Sequence, residues 1–148
     1  MNIIDPLATV MGEWSAKITV GSIFLRLFLT IVLSAILGCE RASKRHSAGL
    51  RTFMVICLAS TIASMLDEFF IATYGMTFPV VSLGAVIALA SISNSSIIFS
   101  AKSQIRGLTT SASLWACGII GLCIGVGFYT VALIGFAILL CSLSLLPG

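Results

Sequence analysis

Charge is what this chain has least of. Lys and Arg number 8 and Asp and Glu number 5 in 148 residues, so 9% of the sequence is charged. A soluble domain carries about 25%. With 59% hydrophobic residues, the chain cannot cover a water-facing surface, which excludes an ordinary soluble domain. Histidine is nearly absent: His46 is the single one, in a loop. The five cysteines (Cys39, Cys57, Cys117, Cys123 and Cys141) form no CxxC pair. A zinc site or a disulfide framework is therefore unsupported, and the cysteines are expected as buried small hydrophobes. No HExxH and no P-loop occurs, and no His, Cys or Lys base is spaced beside a Ser or Thr nucleophile. The chain is expected to be no enzyme and to need no cofactor. It has no long basic run and no RNA-reading aromatic pattern, which excludes nucleic acid as a partner.

What remains is long apolar sequence. A spanning helix needs ~20 apolar residues. Four or five spans fit the length and leave no room for a soluble domain. The spans read as about 21–39, 50–70, 79–100, 108–124 and 128–146. Pro79 suits the first helical position of the third. Leu108 to Leu146 is too long for one span, and Gly125 and Gly127 are the natural break; one long broken helix is the alternative. The fold expected is an all-α integral membrane bundle of about five helices. Residues 1–20 form a separate N-terminal segment. Leu7 to Val20 suits a short interfacial helix with Trp14 at the membrane surface. Asp5 and Glu13 stand where a cleavable signal would carry positive charge, so the first span is expected to stay as an anchor.

The few charges are distributed unevenly. Arg41, Lys44, Arg45, Arg51, Lys102 and Arg106, six of the eight bases, fall on one side of a five-span bundle. The positive-inside rule makes that side cytoplasmic, with the N-terminus outside and the C-terminus inside.

Small residues mark helix contacts in lipid. Thr30, Ser34 and Gly38 recur every four residues on span one, and Cys117, Gly121 and Gly125 do so on span four. Ala59 and Ala63 sit beside Ser60 and Ser64 on span two. These faces are expected to pack within the bundle, with a homodimer seam as the sharper reading for one of them.

Polar residues inside spans need partners. Arg26 either snorkels or pairs with Asp67 or Glu68 at the outer level. Glu40 and Arg41 end span one as a local ion pair. Glu40 follows Arg26 by about −40° on an ideal helix, so Arg26, Ser34 and Glu40 share one face. Asn94 calls for an interhelical hydrogen bond or a polar path. Thr109 or Thr110 is expected to cap span four, beside Arg106 and Lys102, where a phosphate or lipid headgroup can dock. The plain alternative is a capped helix with bases that only set topology.

Several pieces in combination resemble the membrane domain of the MgtC/SapB family. They are Arg26-Leu27-Phe28-Leu29, Gly38-Cys39-Glu40-Arg41, Ala48-Gly49-Leu50-Arg51-Thr52, and Arg106-Gly107-Leu108-Thr109-Thr110-Ser111-Ala112-Ser113-Leu114-Trp115. The Gly121/Gly125 helix follows. The resemblance implies a multi-pass bacterial inner-membrane protein of about five spans. Members are associated with adaptation to low magnesium, survival inside macrophages and restraint of the ATP synthase, and many are labelled magnesium transporters. It thus implies a regulatory protein acting through a membrane partner, with a transporter or channel for Mg²⁺ or another cation as the alternative. A scaffold binding lipid through its basic loops is a third possibility.

Two departures stand out. Family members usually carry Gly-Ile-Gly-Phe-Leu-Gly-Ala-Gly in the third span, where this chain has Leu89-Ala90-Ser91-Ile92-Ser93-Asn94-Ser95-Ser96. Close helix approach there is expected to be altered. The chain also stops at Pro147-Gly148, so the soluble C-terminal domain of better-known members is expected to be missing.

Overall fold

A computed structural model describes residues 5–11, 18–44, 48–95, 97–99 and 105–145. Within these, a short helix α1 (Pro6–Met11) precedes five longer ones: α2 (Val20–Ser43), α3 (Leu50–Tyr74), α4 (Val80–Ser95), α5 (Leu108–Val126) and α6 (Tyr129–Leu145). Two-residue strands β1 (Ile98–Phe99) and β2 (Ile105–Arg106) pair antiparallel between α4 and α5. The five long helices are those expected from the apolar pattern. α2, α3 and α5 are each long and apolar enough to cross a membrane; α4 and α6 are apolar but shorter.

α5 is the central helix. It packs most extensively on α3 and also touches α2, α4 and α6. The composition of its faces explains this position. Cys117, Gly118, Gly121 and Gly125 keep one side narrow, so α3 and α4 can approach. A Cβ built on Gly121 would lie 2.5 Å from the Cys57 carbonyl oxygen, and one on Gly125 would lie 2.5 Å from that of Thr61.

The bundle is apolar outside and partly polar inside. Phe24 is 71% exposed and Ile87 63%, whereas Thr30, Thr61 and Ser22 are fully buried. Soluble monomers rarely expose contiguous apolar surface of this extent. In lipid that surface is at home, and the hydroxyls are the groups that must be hidden. An apolar cluster with Leu37, Phe53, Leu114, Ile124 and Phe136 fills the rest of the interior.

Helix boundaries depart from the sequence expectation in several places, among them the end of α3, which runs on to Tyr74 rather than Phe70. α2 runs on to Ser43, so Glu40 and Arg41 lie in its last turns rather than beyond it. α4 begins one residue after Pro79, whose carbonyl accepts from the Leu83 N–H at 3.1 Å. It stops at Ser95, not Ser100, and the chain turns into the β ladder. Ser and Asn side chains compete for backbone hydrogen bonds and weaken a helix, and the Ser93–Ser96 run concentrates them. The break before α6 falls at Gly127, with φ of 89°. Gly125 stays inside α5, where its missing side chain lets α3 approach.

Only part of the expected interfacial helix is seen, as α1, and Trp14 lies outside the described residues, as do Lys102, Arg45 and His46. Of the cysteines, Cys57 and Cys117 are buried, but Cys39 and Cys141 are exposed on the apolar exterior. A thiol is apolar enough to face lipid.

Candidate functional site

Arg26 sits in the second turn of α2 with 1% exposure. Its Nη1 donates to Glu68 Oε2 and to the Gly125 carbonyl, each at 2.6 Å, and its Nε donates to the Tyr129 hydroxyl at 3.3 Å. One guanidinium thus joins α2, α3, α5 and the start of α6. Gly125 contributes one of the last four carbonyls of α5, which have no partner within their own helix. The helix dipole also favours a cation there. The expected pairing of Arg26 with an acid at this level goes to Glu68.

Asp67 points elsewhere. Its Oδ1 accepts from the Val81 N–H at 2.8 Å and its Oδ2 from the Ser82 N–H at 2.5 Å. A side chain of α3 therefore caps the N-terminus of α4, where partial positive charge favours an anion.

Asp5 does the same for α6. It accepts from the Thr130 N–H at 3.0 Å and from the Thr130 hydroxyl. It also accepts from the Leu7 N–H at 3.1 Å, just after Pro6 opens α1. Burial raises its pKa, but the Thr130 hydroxyl and the N–H groups of Thr130, Leu7 and Tyr129 outweigh that and hold it below the ordinary carboxylate value.

At the opposite end, Lys44 donates to the last carbonyls of α6, Leu143 at 2.8 Å and Ser144 at 3.2 Å. It also pairs with Glu40 at 2.9 Å, and Arg41 pairs with the same carboxylate at 3.3 Å. Arg41 is buried. Four helix ends are thus each held by a charged side chain from outside that helix.

Between the two ends runs a polar seam. The Thr30 and Thr61 hydroxyls meet at 2.9 Å, and Thr61 donates to the Gly121 carbonyl at 3.0 Å. Ser34 and Ser64 bond back to their own helices. The Cys57 thiol donates to the Cys117 carbonyl at 3.3 Å. The small faces of α2, α3 and α5 meet here, inside the chain: Ser34, Gly38, Gly121 and Gly125 are all buried, although Ala59 faces out. Interhelical hydrogen bonds in lipid are worth about 0.6–2 kcal/mol each.

The remaining sequence-derived residues gather less tightly. Arg51 and Thr52 are exposed at the start of α3. Arg106 enters β2 through its backbone. Asn94 is exposed rather than bonded between helices, because α4 turns it outward just before ending. The N-cap of α5 is Gly107, with φ of 88°, and among the described residues no side chain caps that end. Thr109 and Thr110 lie two and three residues past the cap position, inside the first turn; Thr109 is exposed and Thr110 buried. Trp115 and Asn94 line one cavity of ≈ 360 Å³ between α4 and α5. One turn before Ser93 on the same face of α4, Leu89 occupies the space left by Gly118. The leucine that departs from the glycine-rich pattern is thus accommodated by a glycine on the facing helix.

Tyr129 and Thr130 were missed by the sequence reading. An aromatic hydroxyl and a threonine directly after a Gly-Phe turn were the available signal. Among the described residues, no three His, Cys, Asp or Glu side chains converge as metal ligands.

A sequence model of the MgtC family matches residues 27–148. The chain is 32% identical over 131 residues to Protein SapB of Bacillus subtilis, covering 84% of this chain and 56% of that protein. It is 30% identical over 146 residues to Protein SrpB of Synechococcus elongatus, covering 90% and 76%. It is 27% identical over 122 residues to Protein MgtC of Salmonella typhimurium strain LT2, covering 82% and 51%. The chain thus spans little more than half the length of the SapB and MgtC relatives. No solved structure matches it.

Proposed function

The chain belongs to the MgtC family, and from that premise we propose that it is a non-enzymatic regulator in adaptation to low magnesium. In this reading it crosses the bacterial inner membrane several times, N-terminus outside and C-terminus cytoplasmic. It acts by docking on another membrane complex through its lipid-facing helix surfaces.

The observation that carries this reading is how the charges are used. Asp5, Arg26, Lys44 and Asp67 each hold a helix end, while Glu40 and Glu68 each hold a cation. A general acid, a nucleophile's base or a stripped Mg²⁺ ion would need such a group released from its helix. The bases near one end suit cytoplasmic placement.

In-cell crosslinking followed by detergent pull-down tests the proposal. It should recover a defined membrane partner. Recovery of the chain only as itself, including as a homodimer, would contradict it.

One observation favours cation passage as the second reading. Asp67 and Glu68 are adjacent carboxylates beside the hydroxyl seam of Thr61 and Ser64. Mg²⁺ prefers carboxylate and water oxygens; to take an ion, Asp67 would have to leave the α4 N–H groups and Glu68 would have to leave Arg26.

A further inference from the structure

We propose that this chain is built for a bilayer thinner than the average one, with hydrocarbon about 20–26 Å thick rather than ~30 Å, and that it draws the lipid headgroups inward around α4 and α6. The inference rests on the chain crossing the membrane and is independent of what it docks on.

Three helices are bracketed by charged groups, and the spacing between those groups is short. On α2, Arg26 and Glu40 are fourteen residues apart, about 21 Å at a rise of ~1.5 Å per residue. On α3, Arg51 and Glu68 are seventeen residues apart, about 26 Å. α6 carries no charge of its own, but Asp5 holds its Thr130 N–H and Lys44 its Leu143 carbonyl. Thr130 and Leu143 are thirteen residues, about 20 Å, apart.

Several of these charges reach the molecular surface. The Glu68 side chain keeps 30% exposure and that of Lys44 40%, and Arg51 is exposed too. An ionised group facing outward within hydrocarbon is costly, so these groups mark headgroup depth at the two ends of the bundle.

The backbone sets the same limits. The chain leaves helical conformation after Tyr74, and residues 75–79 are exposed. Irregular backbone facing lipid would leave its polar groups unsatisfied, so this stretch lies outside the hydrocarbon. α4 then has only its 16 residues, about 24 Å, with which to cross. Tilt would shorten that reach further. Asp67 holds the start of α4 beside Glu68, so helix end and charge share one border. Past that border α3 carries Phe69, Phe70 and Tyr74, with the Phe70 ring touching both others. Aromatic side chains such as Tyr74 are at home at headgroup depth.

Two measurements on the full chain test this. The first is thermal unfolding in liposomes of phosphatidylcholines that differ in chain length: dimyristoleoyl, dioleoyl and dieicosenoyl, all fluid. The melting point should be highest in dimyristoleoyl lipid and fall with each step. A flat series, or a maximum in dioleoyl or dieicosenoyl lipid, would overturn the proposal. The second measurement locates the border. Ile71→Cys lies one turn past Asp67, and Ile62→Cys lies at mid-α3; both replace exposed side chains, so packing is spared. Membranes are sonicated with a membrane-impermeant maleimide, so that both faces are reached, and labelling is read at each site by peptide mass. Ile71→Cys should be labelled and Ile62→Cys should not. Labelling of neither would put Arg26 and Glu68 inside the hydrocarbon, and equal labelling of both would leave no border between them; either result overturns the proposal. Neither measurement involves a partner, so failure here is distinct from failure of the docking reading.

Discussion

Arg26 and Glu68, 42 residues apart, meet at 2.6 Å. The arginine is almost wholly buried, whereas the glutamate side chain keeps 30% exposure. This asymmetry makes Glu68 the partner whose loss matters most, because it leaves a buried cation behind. Glu68→Ala should lower stability by about 3 kcal/mol, the low end for breaking a buried pair, given partial solvation of the acid. Replacing both partners by Arg26→Met and Glu68→Leu should restore most of the loss. Thermal unfolding of the single and double variants in one detergent checks both outcomes.

Asp67 should behave as a cap, not as an ion-pair member. Asp67→Ala should destabilise by about 1–2 kcal/mol, the usual cost of losing an N-cap. Hydrogen exchange should rise at Val81 and Ser82 and stay unchanged at Gly121. Uniform change across the bundle would show a different role.

Glycines separate by what faces them. Gly121→Ala and Gly125→Ala force a Cβ against α3 and should each cost about 1–3 kcal/mol. Gly135→Ala, with nothing near it in α6, should be neutral or stabilising by up to about 1 kcal/mol. Gly118→Ala should cost less than Gly121→Ala or Gly125→Ala, because its Cβ meets only the end of the Leu89 side chain, and should be milder still once Leu89→Ala has vacated the space. Melting temperatures of the series provide the check.

Acid should release the N-terminal segment. The folded pKa of Asp5 lies below its unfolded value, so its contribution is full above the unfolded value of about 3.9. It is lost as pH falls through the lower folded value. Protection of the Thr130 amide should therefore fall below about pH 4 in the parent, and Asp5→Asn should abolish that step.

The spans and their packing faces were legible because lipid imposes simple rules. A spanning helix needs apolar length, and close helices need small residues, so Thr30, Ser34, Gly121 and Gly125 could be read directly. The pairing of Arg26 with an outer acid was legible because a buried charge demands a partner. Which acid was not, since Asp67 and Glu68 are about 100° apart on a helix and only packing decides the choice. Asp5 was illegible for a deeper reason. Its partner, Thr130, is 125 residues away, and no local pattern marks a cap supplied by another segment. The end of α4 was misjudged because a serine-rich run keeps enough apolar neighbours to look like span.

On the proposed reading, the acidic side chains hold this bundle together and do not serve a passing ion. Magnesium flux into liposomes containing the purified full chain tests it most directly. Flux should match that of empty liposomes, in the parent and in Asp67→Asn and Glu40→Gln alike. Flux above that background in the parent, falling in either variant, would contradict the account.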